Sequence, residues 1–344
     1  MNTKQLAYLF LSMTLIFSSC SKNDDDVNSS PLPLGDYEDG ILISHEGSFS
    51  GGFGTVSYVS NDFSTVENNI FSNVNGRTLG TVAQSIAFNG DLAYIIINVS
   101  NQIEVVNRYT FESVATINTG LNNPRYMTFA NGKGYVSNWG DFTPSNDDYI
   151  AVIDLTSNTI IDTISSSYLP EEIVAKGNTV YVATGIFGNG NKVDVINAAT
   201  DELTESIIVG NSPNSLQLDS NDDLWVLSSE NLIEINTTTN EISQTLSLGA
   251  DISSPAKLNY DSGNLYLYAS GAVYKISETA TTLPSTPEFS NVNFYDMSVK
   301  SGFLYGLDAG DFSSEGTMAV YDLSSNIEVQ SITLNIIPGE VYFN

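Results

Sequence analysis

Apolar and polar residues alternate in short runs along most of the chain, and turn-forming residues separate the runs. Between residues 124 and 167 this pattern predicts four antiparallel strands: Tyr126–Ala130, Lys133–Asn138, Ile150–Asp154 and Thr159–Ser165. Dipeptides such as Asn131-Gly132 stand between neighbouring runs, as in tight hairpins. One such sheet cannot bury its apolar face alone, so we expect it to pack against further copies of itself.

The pattern restarts at regular intervals, at Gln84, Pro124, Pro170, Pro213, Pro255 and Tyr295. Successive starts are 40, 46, 43, 42 and 40 residues apart. A period of roughly 40–45 residues with four strands per repeat is typical of propeller blades. An aromatic residue recurs in the second strand, and we expect these side chains to pack between blades: Tyr135, Tyr181, Trp225, Tyr266 and Tyr305.

The two ends of the repeat region complement each other. Pro338–Asn344 matches the first strand of a repeat, whereas Ile41–Phe71 matches the last three strands and has no first strand. Joined, they make a seventh blade and remove a free sheet edge. The prediction is therefore all-β: a seven-bladed β-propeller over residues 38–344, with four-stranded antiparallel blades and a ring closed by the C-terminal strand.

The segment before the repeats has a different character. Residues 1–19 combine Lys4, the apolar run LAYLFLSMTLIF and small residues, which is typical of a secretory signal peptide. The ending IFSSC resembles a bacterial lipobox, so Cys20, the only cysteine, is predicted to carry a lipid anchor. An unmodified cysteine is the alternative. Residues 20–37 are acidic, polar and proline-rich, and are predicted to form a flexible tether.

The acidic run Asp24–Asp26 follows the predicted lipid site directly. It resembles the surface-export signal of Bacteroidota lipoproteins, and a solvated linker is the alternative. The prediction is an outer-membrane, lipid-anchored protein displayed at the cell surface. Its formal net charge of −29 repels phosphate backbones and anionic lipid surfaces. We therefore expect no nucleic-acid partner, and membrane contact through the lipid alone.

One face of the predicted propeller carries the long loops, and tight turns dominate the other. Long loops on a rigid scaffold are where binding usually occurs. Their aromatic and amide side chains suit a neutral polar ligand with a flat surface, and an arginine could pair with a phosphate or carboxylate. Alternatively, the aromatics plug the channel and the arginines pair with nearby acids. The candidate ligand-binding residues are His45, Phe49, Arg77, Gln84, Asn98, Arg125, Asn138, Trp139, Phe142, Phe187, Asn189 and Phe312.

The residues that could support catalysis are few. His45 is the only histidine, and the His45-Glu46 pair is a weak signal for acid–base chemistry. One histidine and no free thiol argue against a metal centre. The aspartate-rich segments at 145–148 and 219–223 lack ordered calcium-ligand spacing and are expected to be turns. We predict no enzyme activity, no metal and no cofactor.

Two motifs resemble a known group. The string YVSNWG at 135–140 is similar to the YVTN signature of YncE-like surface propellers. The stretch from SHEGSFSGGFGTVSY to NQIEVV looks like the opening of Bacteroidota propeller lipoproteins in the same group, and its run NGRTLGTVAQS at 75–85 is the part more specific to them. Some of those capture cobalamin and pass it to a TonB-dependent outer-membrane transporter. The resemblance implies capture of a nutrient, with cobalamin or another corrinoid as the transported ligand. The chain departs from the group at His45, where Asn is usual, and at Thr78, where Pro is usual.

Two other function classes stay open at this point. A surface propeller could bind a protein or a glycan, which predicts retention on partner cells without small-molecule binding. Some lactonases also share a seven-bladed propeller, which predicts turnover that depends on His45 and Glu46. Because few residues could support catalysis, the lactonase is the least favoured of the three function classes.

Overall fold

The computed structural model describes residues 34–48, 51–141, 147–188, 190–250 and 252–344. These residues form 28 strands, one short helix, α1 (Ile70–Asn75), and one 3-10 turn at Ile186–Gly188. Within the described residues, no helix has both the length and the apolar character needed to cross a membrane. The strands are arranged in seven four-stranded antiparallel sheets, so the predicted fold class is confirmed.

Six blades follow the chain in order. Blade 1 contains β4 (Ala83–Asn89), β5 (Leu92–Ile97), β6 (Gln102–Asn107) and β7 (Ser113–Ile117). Blade 2 contains β8 (Pro124–Ala130), β9 (Lys133–Asn138), β10 (Tyr149–Asp154) and β11 (Thr159–Ser165). Blade 3 contains β12 (Pro170–Lys176), β13 (Thr179–Thr184), β14 (Lys192–Asn197) and β15 (Glu202–Ile208).

The remaining three follow the same plan. Blade 4 contains β16 (Ser215–Leu218), β17 (Leu224–Leu227), β18 (Asn231–Asn236) and β19 (Glu241–Ser247). Blade 5 contains β20 (Pro255–Asp261), β21 (Asn264–Ala269), β22 (Ala272–Ser277) and β23 (Phe289–Ser290). Blade 6 contains β24 (Asp296–Lys300), β25 (Phe303–Asp308), β26 (Glu315–Asp322) and β27 (Ile327–Ile336).

The seventh sheet, here called the closing blade, joins the two ends of the chain. It contains β28 (Pro338–Phe343), β1 (Gly40–His45), β2 (Thr55–Ser60) and β3 (Val66–Glu67), in the order β28-β1-β2-β3. Antiparallel register pairs Ile43 with Val341 and Ile41 with Phe343. The C-terminal strand therefore becomes the innermost strand of this blade and closes the ring, as the sequence predicted.

The core lies between blades. The second-strand aromatics are buried, and each packs against the next blade, as predicted. Tyr135 packs on blade 3, and its hydroxyl donates to Asp201 Oδ1 at 2.6 Å. Tyr181 likewise donates to Asn240 Oδ1 of blade 4 at 2.9 Å. Apolar contacts of these aromatic rings therefore join neighbouring sheets, and the tyrosine hydroxyls of Tyr135 and Tyr181 add hydrogen bonds to the next blade.

Two outermost strands are shorter than the alternation suggested. β3 has only two residues, and α1 follows it because Ile70 and Phe71 are buried against blade 1. β23 is equally short, and the segment before it contains Pro284 and Pro287. Proline has no backbone N–H to donate, so this stretch cannot extend a sheet ladder.

Candidate functional site at the channel mouth

A β-bulge recurs where the innermost strands begin, on the face that carries the long loops. In five blades the register shifts so that the innermost strand holds one extra residue. Bulges re-aim side chains and are common near functional sites. In blades 1, 2 and 3 they fall at Gln84, Arg125–Tyr126 and Glu171–Glu172. The side chains at these bulges meet across three blades and form the wall that we call the channel mouth.

Arg125 is the centre of this wall. Its guanidinium binds Glu171 through two hydrogen bonds, Nε to Oε2 at 2.9 Å and Nη2 to Oε1 at 2.7 Å. It also donates to Gln84 Oε1, and it stacks on Trp139 with its carbon 3.9 Å from the ring centroid. A bidentate pair with a stacked aromatic holds the guanidinium in one orientation. Arg125, Gln84 and Trp139 are therefore brought together at the channel mouth.

The charge of Arg125 is already matched. Burial alone would lower the pKa of Arg125, but the combined effect of Glu171, Tyr126 and Glu46 raises it above its ordinary value. The side chains of Arg125 and Glu171 are only 13% and 5% exposed. An anionic ligand would have to displace Glu171, so the arrangement favours the expectation that arginines pair with nearby acids.

Two exposed aromatic side chains, Phe187 and Phe312, lie next to residues of the channel mouth. Trp139 is buried and contacts Phe187 edge to face at 5.9 Å, and Phe187 is 63% exposed. Tyr295 donates to Glu46 Oε1 at 2.8 Å and contacts Phe312 edge to face at 5.5 Å. Phe312 is 45% exposed. Each exposed ring thus rests on a fixed neighbour, which lowers the entropy that a ligand must remove on binding.

Inside the mouth, the channel holds a cluster of ionisable residues from several blades. Lys257 Nζ lies 2.8 Å from Asp296 Oδ1, with Glu172 and Glu340 close enough to influence it. Burial raises the pKa of Glu172 to about 8, against the opposing charge of Lys257 and a hydrogen bond from the Leu216 N–H. Burial and Asp296 raise the pKa of Glu340 to about 7. Three carboxyls therefore share one lysine.

The signature YVSN has a structural explanation in this wall. The bulge frees the N–H of Tyr126, which donates to Ser137 Oγ at 3.1 Å. Ser137 Oγ in turn donates to the carbonyl of Glu171 at 2.8 Å. Asn138 Oδ1 accepts from the N–H of Asn122, and its Nδ2 donates to the carbonyl of Val136. The motif therefore stabilises the bulge and the adjoining loop, so its role here is a structural one within the fold.

Several predicted residues do not reach the mouth. His45 is fully buried, its Nε2 lies 2.8 Å from Ser57 Oγ, and burial lowers its pKa to about 3. Arg77 binds Glu104 and Ser113 in blade 1 and stacks on Phe71. Asn98 is buried and donates to the carbonyl of Pro124. Asn138 is buried in the loop support described above.

The predicted residues are therefore divided between the channel mouth and other parts of the fold. His45 lies on β1, an interior strand of the closing blade that is paired with β28 and β2, and its side chain is fully buried. Arg77 pairs with the buried Glu104. Phe49, Phe142, Asn189 and Cys20 lie outside the described residues. The aspartate segment at 219–223 forms a turn, as expected, in which Asp219 Oδ1 accepts from the N–H groups of Asn221 and Asp223.

One protein family matches most of the chain. The family DUF5074, described as a domain of unknown function, matches residues 39–329. The chain belongs to this family. No curated protein matches it. Among solved structures, it is similar to hydrazine synthase from Kuenenia stuttgartiensis, at 15% identity and a TM-score of 0.58, over 81% of this chain and 89% of that one.

The DUF5074 protein is also similar to the computationally designed Ika8 protein. The identity is 10% and the TM-score 0.60, over 89% of this chain and 90% of that chain. Two structures of such different origin share the architecture with this chain. At these identities the likeness shows the propeller fold and carries no function.

Sequence reasoning missed several charged residues of the DUF5074 channel. Glu171, Glu172, Lys257 and Glu340 were absent from the candidate set, yet each lies at the start of an innermost strand. The available signal was positional: each falls one or two residues after the proline that begins its strand. A charged residue at that place interrupts the alternation, and the bulge is the reason that it is tolerated.

Proposed function

We propose that this DUF5074 protein is a non-catalytic binding protein that captures a large, neutral, flat nutrient at the channel mouth. The observation that carries the proposal is the pair of exposed rings, Phe187 and Phe312, each of which contacts an aromatic neighbour that is itself held at the mouth, Trp139 by Arg125 and Tyr295 by Glu46. Exposed aromatics on rigid supports bind apolar or flat surfaces at low entropic cost.

The charges at the mouth favour a neutral ligand. Arg125 is paired with Glu171, and Glu46 accepts a hydrogen bond from Tyr295. Burial raises the pKa of Glu46, with Tyr295 and Arg125 acting against that shift. A ligand that approaches this surface finds aromatic faces and an arginine whose charge is already paired, which disfavours binding of an anionic group.

Cobalamin or another corrinoid is the specific candidate within this proposal. A corrinoid presents a broad flat ring system edged with amide groups, which suits aromatic faces and polar neighbours. The resemblance to propeller lipoproteins that capture cobalamin supports the same ligand class. By the same resemblance, the lipid on Cys20 would anchor the protein at the outer-membrane surface, and a TonB-dependent transporter would receive the nutrient.

The first experiment mixes the purified full-length protein with cyanocobalamin, removes free ligand by desalting and records the visible spectrum of the protein peak. We expect the corrinoid colour to travel with the protein at one equivalent. The double variant Phe187→Ala/Phe312→Ala should lose at least tenfold in affinity with an unchanged melting temperature. The control Ile161→Ala removes a side chain that is 55% exposed on the outermost strand of blade 2, and it should bind normally. A colourless peak from folded protein contradicts corrinoid capture.

The lipid anchor has a separate test. Cys20→Ala should move the protein from the membrane fraction to the soluble fraction. Continued membrane retention would contradict anchoring through this cysteine.

A further inference from the structure

A second recess lies on the long-loop face, over the closing blade. Two cavities of about 270 and 260 Å³ share Phe53, Thr55 and Asn69 as walls. Phe71 and Leu79 line one cavity, and Asn335 lines the other. The two cavities adjoin at these shared residues, and together we call them the closing-blade groove. Drug-sized sites occupy roughly 300–1,000 Å³, so each half has room for about one small ring.

The lining of the groove contains no charged side chain. This holds for every described residue that lines either cavity, although the chain has 40 acidic and 11 basic residues. An ionic ligand would leave water without a compensating charge in the wall, which is costly. The groove is therefore suited to a neutral ligand.

The polar edge of the groove is a preorganised pair of amides. Asn335 Nδ2 donates to Thr55 Oγ1 at 3.1 Å and to Asn69 Oδ1 at 2.9 Å. These bonds orient both amide groups. Within the described part of the chain, Asn69 Nδ2 and Asn335 Oδ1 take part in no hydrogen bond. The edge therefore offers one donor and one acceptor side by side.

The apolar part of the groove combines one exposed aromatic ring with two buried apolar side chains. Phe53 is 54% exposed, whereas Phe71 and Leu79 are 1% and 2% exposed. The carbonyl of Gly80 accepts from the N–H of Gly54 at 2.7 Å and holds the Phe53 segment close to the loop that carries Leu79. A large apolar ring that stays exposed beside a polar edge is typical of a surface that binds a partly apolar ligand.

We propose that the closing-blade groove binds a neutral pyranose unit of a glycan. A pyranose ring has an apolar face of C–H groups, which can stack on Phe53. Its hydroxyls both donate and accept, so two neighbouring hydroxyls match Asn69 Nδ2 and Asn335 Oδ1. The ring carries no charge, in agreement with the lining.

The groove and the channel mouth are adjacent but use different residues. Gly47 lines the groove and follows Glu46, which belongs to the mouth through Tyr295. Phe312 belongs to the mouth and does not line the groove. A variant in one site therefore serves as the control for the other, and this proposal stands or falls independently of corrinoid capture.

The test is saturation-transfer NMR on the full-length protein with methyl glycosides of glucose, galactose, mannose and N-acetylglucosamine. Glucuronic acid and benzamide are included as a charged sugar and a flat aromatic amide. We expect at least one neutral glycoside to bind. Phe53→Ala and Asn335→Ala should each weaken that binding tenfold or more, whereas Phe312→Ala should leave it unchanged. Phe53 is exposed, so its variant should keep the wild-type melting temperature even if Asn335→Ala does not.

Three outcomes overturn the proposal. The first is the absence of binding by all four neutral glycosides. The second is glycoside binding that Phe53→Ala leaves intact, which places the sugar elsewhere. The third is binding of benzamide alone that is lost in Phe53→Ala, which assigns the groove to flat aromatic ligands.

Discussion

The channel carboxyl of Glu172 makes the stability of the propeller depend on pH. Its ordinary pKa of 4.5 rises to about 8 in the fold because of burial, and Glu340 and Asp296 add to the shift while Lys257 opposes it. A carboxyl with a raised pKa binds its proton more tightly in the folded chain. Its contribution to stability is therefore fully present below pH 4.5 and is lost as pH rises through about 8.

The size of the effect on the free energy of unfolding follows from the difference between the two pKa values. The pKa values of 4.5 and about 8 differ by about 3.5 pH units, which at ~1.36 kcal/mol each gives an upper limit of about 5 kcal/mol. Glu172 is only partly buried, so solvent screens its ionised form and reduces this upper limit. We therefore expect Glu172→Gln to stabilise the protein at pH 8.5 by roughly 2–3 kcal/mol, and to change it by less than about 0.5 kcal/mol at pH 5.

Thermal unfolding between pH 5 and 9 measures this difference. At roughly 2 °C per kcal/mol for a domain of this size, Glu172→Gln should melt about 5 °C above the wild type at pH 8.5. The amide keeps an oxygen for the Leu216 N–H, so the substitution removes the charge and little else. The control Glu241→Gln changes an exposed carboxyl at the start of an outermost strand and should have no effect at either pH.

The result that would refute this reasoning is a variant that is less stable than the wild type at pH 8.5. The attraction of the ionised Glu172 to Lys257 would then outweigh the cost of its burial. Equal melting temperatures across the whole range would also contradict the shifted titration.

Three further predictions concern the ring and the mouth. Deletion of Pro338–Asn344 should open the closing blade and abolish cooperative unfolding near the wild-type temperature; unchanged melting would contradict ring closure. Arg125→Met should destabilise the protein by about 2–4 kcal/mol because it leaves Glu171 buried without its partner, and adding Glu171→Gln should restore part of the loss in urea unfolding. Ser137→Ala should cost about 1–2 kcal/mol because the bulge N–H of Tyr126 loses its acceptor; the exposed control Ser331→Ala should cost almost nothing by the same assay.

The strand pattern and the repeat were readable from the sequence because they depend on short-range features. Alternation, turn dipeptides and a recurring start predicted the bounds of the blade 2 strands to within two residues. The complementary ends predicted the closing blade. In contrast, α1 was missed, since six residues with two buried apolar side chains leave almost no helical period to detect.

The candidate site was only partly readable. The sequence placed Arg125, Trp139, Phe187 and Phe312 in the long loops, and the structure brings Arg125, Trp139 and Phe187 into one stack. It could not reveal that His45 is buried, because a polar residue near the end of a strand has no local sign of burial.

What the sequence by itself determined is the propeller: blades of four strands, seven in number, with a ring closed by the two ends. Only the tertiary structure decided which charges meet. Arg125 and Glu171 are 46 residues apart, and Lys257 and Asp296 come from different blades. The pairing of such groups depends on where the ring places each innermost strand. Short-range sequence patterns do not show how far apart two such strands lie.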